Sequence, residues 1–225
     1  YLATVFPDRA HPPAQLQSPT TSWGLSRRRR KLFDPFVSEG TATLILGPEN
    51  VGKSWLALGI AKAVWQKRTL VNTWCGRNPS NVLYLTAAPE RSPVAEKLDI
   101  MLDGIPCVPG MDERPGMGQW REYASTPGGA LLVVREVTLA SLQGYPLPES
   151  SWWNQLMGCI PIGQERGTVL ILDGLQEVSV AARGALRGAV ERGVAVVLVV
   201  TVPPGCKASH TKGIKQSLPF DSIVR

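Results

Sequence analysis

Five runs of this chain are apolar almost without interruption: "TATLIL" from Thr41, "NVLYLT" (81–86), "ALLVVREV" (130–137), "GTVLILD" (167–173) and "VAVVLVVT" (194–201). A strand with one wet face alternates apolar and polar residues, whereas continuous runs mark strands covered on both faces. Between them lie stretches of helical spacing. Leu56, Ile60 and Val64 recur at every fourth residue with Ala57 and Ala61 beside them, and Val94, Leu98 and Leu102 follow a serine start in "SPVAEKLDIML" (92–102). "SSWWNQLMGCI" (150–160) reads as a short serine-capped helix, and "VSVAARGALRGAVERG" (178–193) as a helix weakened by two internal glycines. Residues 103–128, rich in Gly and Pro, read as a loop. Strand and helix in alternation predict an α/β fold with a mainly parallel sheet sandwiched by helices.

The 225 residues suffice for one domain of ordinary size plus a tail. Residues 1–31 contain Pro7, Pro12, Pro13 and Pro19 and show no sustained period, so they read as a flexible tail ahead of a domain over 32–225. The tail ends in "RRRRK" (27–31), which reads first as a solvated linker and second as a nucleic-acid or targeting arm. A formal charge of +6 and a pI near 9.4 favour an acidic partner.

Cys75, Cys107, Cys159 and Cys206 form no CxxC pair, and the chain has two histidines, which is neither a zinc pattern nor a disulfide framework. A reduced, intracellular, cytoplasmic protein is the simplest expectation. No apolar run approaches the roughly 18 to 20 residues of a membrane span, and the N-terminus lacks the order of a signal peptide, so a soluble protein is expected. A start at Tyr1 in place of Met is what a fragment or processed product shows.

"LILGPENVGKSWLALGIAKAV" (44–64) places Gly47, four residues, then Gly52, Lys53 and Ser54 between a predicted strand and a predicted helix. Glycines at these two places let the backbone turn sharply and approach an anion, so that amides and the helix N-terminus point at phosphate. The whole segment Gly47, Pro48, Glu49, Asn50, Val51, Gly52, Lys53, Ser54 and Trp55 is therefore the candidate ATP site. Lys53 would reach the β and γ phosphates, and Ser54 would place its hydroxyl on Mg²⁺. Asp173 ends the one apolar run that terminates in a carboxylate, so it is the candidate second Mg²⁺ ligand, through a bound water. An aspartate that only shapes the turn after a strand is the alternative.

With these segments the chain resembles RecA-like P-loop ATPases and, among them, the RepA-type replicative helicases of plasmids and phages, relatives of DnaB. The resemblance runs from about Phe33 to Arg225 and is carried by "EGTATLILGPENVGKSWLALGIAKAV", "NVLYLTAAPERSPVAEKLDIML", "ALLVVREV" and "TVLILDGLQEV". It implies ATP and Mg²⁺ as cofactors, single-stranded DNA as partner, and a homo-oligomeric ring or filament.

Two positions depart from the family pattern. The second strand of such ATPases usually ends in a glutamate that positions the attacking water; a gap-free reading puts Ala88 there, and Glu90 lies two residues on. Glu90 is the candidate catalytic acid beside Lys53 if the turn is rearranged, or else a solvated acid at a helix start; Glu177 is a weaker substitute. A polar sensor, often histidine, is implied at the end of the fifth strand, where Thr201 is the only hydroxyl. Hydrolysis is therefore expected to be slow or conditional, since positioning groups contribute to rate and not to binding.

The segment "PPGCKASHTKGIKQ" matches the place where RecA-like rings touch single-stranded nucleic acid, and it carries Lys207, His210, Lys212 and Lys215. An ordinary solvated loop is the other reading, and no aromatic is interleaved to stack bases. Lys212 and Arg225 are the implied positions for a cation reaching a neighbour's γ-phosphate. Trp152 and Trp153 read as packing residues before a base platform, and Arg183 and Arg187, four apart, as an exposed face.

Two rival functions fit the same residues. One is a nucleotide-gated regulatory or binding subunit without turnover. The other is a small-molecule kinase, which would need an arginine-rich lid, whereas 103–128 offers only Arg114 and Arg121.

Overall fold

The computed structural model describes residues 16–17, 29–71, 74–77, 80–87, 93–111, 117–123, 130–137, 165–175, 180–202 and 220–224. All five apolar runs are strands: β4 (Ala42–Gly47), β7 (Asn81–Ala87), β10 (Leu132–Val137), β11 (Thr168–Leu175) and β12 (Ala195–Thr201). They lie side by side in the order β4-β12-β11-β7-β10, every neighbouring pair parallel. Their C-terminal ends therefore share one edge of the sheet, the edge where open α/β sheets place ligands.

Alternate residues of each strand feed two separate cores. Ile45, Tyr84, Val169, Ile171, Val197 and Val199 pack with helix α1 (Lys53–Gln66) on one face. Leu44, Leu46, Leu83, Leu85, Leu170 and Leu172 pack with Leu186, Ala189 and Val190 of helix α3 (Val180–Glu191) on the other. Both faces are thus apolar, which is why the strand sequences run without alternation. Helix α2 (Pro93–Met101) follows β7 and is tied to α1 by a hydrogen bond from Lys62 Nζ to the Met101 carbonyl.

The structure corrects the reading of 103–128 as a loop. It contains β8 (Cys107–Met111) and β9 (Met117–Tyr123), antiparallel to each other, with β9 also antiparallel to β10. These strands extend the sheet by pairing with an edge that already exists, so backbone hydrogen bonds hold them where composition gives no signal. Arg121 of β9 also forms an ion pair with Asp99 of α2 at 2.5 Å. At the opposite edge β13 (Phe220–Val224) runs parallel to β4, and β1 (Leu16–Gln17) pairs antiparallel with β13.

A second, four-stranded sheet was not legible either. It comprises β2 (Lys31–Asp34), β3 (Val37–Ser38), β5 (Thr69–Val71) and β6 (Trp74–Gly76), in the order β3-β2-β6-β5. Leu32, Phe33, Phe36 and Val37 are buried in the same core as α1, and Phe36 meets Trp74 edge-on with ring centroids 4.6 Å apart. Burial at this scale stabilises by about 1.5–3 kcal/mol per large side chain. Gly76 is required by close approach: a Cβ there would stand 2.1 Å from the Ala63 carbonyl oxygen of α1. The small sheet therefore braces α1, and with it the loop that precedes α1.

Candidate functional site

The chain leaves β4 at Gly47, turns through Pro48–Val51 and enters α1 at Lys53. Asn50 and Gly52 take the left-handed conformation, with φ of 60° and 87°. Gly52 does so without strain, and Asn is among the few other residues that tolerate it. The reversal brings the first turn of α1 to the carboxyl edge of the sheet. Within a helix the amides of Lys53, Ser54 and Trp55 have no acceptor. No side chain caps this N-terminus, and its first turn holds no acid. An uncapped helix start behind a left-handed glycine offers N–H donors and the positive dipole end to an anion.

Pro48, Glu49, Asn50 and Val51 are exposed, whereas Gly47, Gly52, Lys53, Ser54 and Trp55 are half-buried. Lys53 Nζ donates to the Pro48 carbonyl at 2.5 Å, so the ammonium lies folded over its own loop. Partial burial holds its pKa below the ordinary lysine value; Asp173 and Glu49 act in the opposite direction, and Lys97 of α2 adds to the lowering. The lysine thus sits in the field of Asp173, although 120 residues separate them in the chain.

Asp173 lies near the C-terminal end of β11, on the α1 face with Val169 and Ile171, and is 3% exposed. Its register partner on β7 is the buried Thr86. Tyr84, two residues earlier on the same face of β7 and fully buried, donates its hydroxyl to Asp173 Oδ2 at 2.6 Å. Burial raises the tyrosine pKa well above its ordinary range, with the Asp173 charge and the hydrogen bond acting in the same direction, so the phenol is a donor throughout the physiological range. Sequence reasoning missed Tyr84. Period-two alternation in "NVLYLT" puts it on one face with Thr86, but only the adjacency of β7 and β11 shows what that face touches.

Among the described residues no three of His, Cys, Asp and Glu gather as a metal cluster. A hydroxyl at Ser54 and a carboxylate at Asp173 are hard oxygen groups, the first suited to bind Mg²⁺ directly and the second through a water, and a sparse protein shell completed by phosphate and water oxygens is the usual complement of Mg²⁺. The donor set fits that ion, and it would not make a self-sufficient cage for a transition metal.

The structure brings the loop 47–55 and Asp173 to one edge. Thr201, at the end of β12, is paired in register with Gly47 and is half-buried, while the Val202 amide donates to the Gly47 carbonyl at 3.0 Å. Arg183 and Arg187 lie on α3, on the opposite face of the sheet from α1. Ala88, Glu90, Glu177, Lys207, His210, Lys212, Lys215, Arg225, Arg114, Trp152 and Trp153, together with the helix expected over 150–160, lie outside the described residues. No helix among the described residues is long and apolar enough to cross a membrane.

Comparison with known proteins adds one family. No curated protein matches the chain. Among solved structures, one described as a "prototypical ATPase from the type III secretion system of pathogenic bacteria" aligns at 14% identity and a TM-score of 0.38. The match covers 80% of this chain and 50% of that one, so the chain spans about half the length of that protein, and at that score the likeness carries no functional weight. A family model described as an AAA domain, AAA_25, matches residues 10–136, which include the whole loop from β4 into α1. With more than half of its residues matched, the chain belongs to the AAA_25 family and is a P-loop ATPase domain of α/β fold.

Proposed function

We propose that the chain binds ATP with Mg²⁺ at the loop 47–55, acts on single-stranded DNA as a subunit of a ring or filament, and hydrolyses ATP slowly or conditionally. The observation that supports this most is the uncapped start of α1 behind left-handed Gly52, with Lys53 in the field of Asp173. In this reading the loop amides and Lys53 hold the β and γ phosphates, Lys53 exchanging its bond to the Pro48 carbonyl for phosphate oxygens. Ser54 and Asp173 bind and orient the metal, Asp173 through a water. When bound, Mg²⁺ neutralises charge on the phosphates. Glu90 orients the attacking water. The RepA- and DnaB-like resemblance supports the DNA and oligomer parts, with Lys207, His210, Lys212 and Lys215 as the backbone contacts.

The test measures ATP binding and ATP turnover separately, with and without an oligonucleotide, on the wild type and on Lys53→Ala. DNA-stimulated turnover that Lys53→Ala abolishes supports the reading. Turnover that survives the substitution sinks the site assignment. A second reading has its own observation: Ala88 in the gap-free position of the glutamate, and Thr201 where a histidine is implied. In it, ATP orders an interface and is not consumed. Tight binding with no DNA-stimulated turnover selects that switch.

A further inference from the structure

Asp173 is a carboxylate at the rim of a nearly dry sheet, and such a group needs a donor to hold it in one orientation. The donor comes from beneath. In the parallel register of β7 and β11, Asp173 stands opposite Thr86 and Tyr84 stands opposite Ile171, one side-chain row deeper on the same face. The phenol reaches diagonally across the two strands and closes on Oδ2 at 2.6 Å. Its ring is fully buried in the α1 core, among residues such as Ile45, Ile171 and Val199. A ring packed this way cannot swing aside without opening that core. The hydrogen bond engages one carboxylate oxygen, Oδ2.

We propose that Tyr84 is a positioning residue for Asp173: its hydroxyl fixes the carboxylate plane through Oδ2, so that the carboxylate meets the metal side of the loop in a preset orientation. The inference rests on the reading that Asp173 serves Mg²⁺ and adds to it a residue outside both the phosphate loop and the strand that bears Asp173. A tyrosine that merely filled the core would contribute to stability alone. A tyrosine that orients a metal-binding carboxylate also sets how much Mg²⁺ the site requires.

The experiment compares wild type, Tyr84→Phe and Asp173→Asn. Equilibrium binding of a fluorescent ATP analogue is titrated with Mg²⁺, repeated in EDTA, and accompanied by thermal unfolding without ligand. Tyr84→Phe is expected to leave metal-free nucleotide binding within about twofold and to raise the Mg²⁺ midpoint about ten- to a hundredfold, as lost outer partners of metal ligands do. A Tyr84→Phe protein with a lowered Tm and an unchanged Mg²⁺ midpoint overturns the proposal. An Asp173→Asn protein with the wild-type Mg²⁺ midpoint shows that the Asp173 reading itself has failed, and a wild type that binds no nucleotide shows that the ATP reading has failed; either result also removes the proposal. Should Tyr84→Phe not fold, 3-fluorotyrosine at position 84 changes the strength of the donor while keeping the ring. A midpoint moved by about twofold or more then supports the proposal, and an unmoved one overturns it.

Discussion

Lys53 donates its ammonium to the carbonyl of Pro48, five residues back, so the phosphate loop closes on its own lysine. Partial burial keeps the lysine charge less favourable in the folded chain than in the unfolded one, which is the meaning of its lowered pKa. Without nucleotide, the lysine therefore holds its charge at a cost.

Lys53→Met should make the ligand-free protein slightly more stable at neutral pH, a change within about 0.5 kcal/mol as for other partly exposed side chains, while weakening ATP binding. The folded pKa lies below the unfolded value of 10.5, so the unfolded chain holds more protons between the two. Wild-type stability thus rises as pH climbs through the folded pKa, and the advantage of Lys53→Met fades toward pH 10.5. Thermal unfolding of both proteins across the neutral-to-alkaline range checks this. A variant less stable than wild type at neutral pH contradicts it.

Gly76→Ala should be strongly destabilising, because its Cβ would stand 2.1 Å from the Ala63 carbonyl, which is backbone and cannot rotate away. Separating β6 from α1 to relieve the overlap would cost about 3 kcal/mol, or roughly 6–12 °C in Tm for a chain of this size. Differential scanning calorimetry reads the shift directly.

Trp65 anchors α1 to the entry of β10: its indole N–H donates to the Ala130 carbonyl at 2.9 Å, and its ring tilts against Tyr123 of β9 with centroids 6.4 Å apart. Trp65→Phe loses the donor and leaves a buried carbonyl without that partner. The expected loss is about 1–3 kcal/mol of unfolding free energy, measured by urea titration. ATP affinity should stay within about twofold, since one lost contact this far from the phosphate loop leaves its geometry in place.

These residues also show what was readable beforehand. The five central strands were legible because burial on both faces leaves no room for polar residues in "TLIL", "VLILD" or "VVLVV". Strands β8 and β9 were not, because Pro109 and Gly110 stand in the first of them and the pairing partner β10 lies elsewhere in the sequence. The small sheet escaped because strands of two to four residues carry no period, although Phe33 and Phe36 could have signalled burial. At the site, the loop was legible from local spacing alone. The contact of Tyr84 with Asp173 was not, since it depends on strand order, which no local pattern encodes.

The central claim is that the start of α1 is an ATP site that depends on Lys53, and an equilibrium titration of wild type and Lys53→Ala with ATP in excess Mg²⁺ tests it most directly. Wild-type binding should be saturable, with a dissociation constant in the range of about 1 μM to 1 mM, weakened about tenfold or more in the variant through loss of a charge-assisted contact. Equal affinity in the two proteins, or no binding by the wild type, would contradict it.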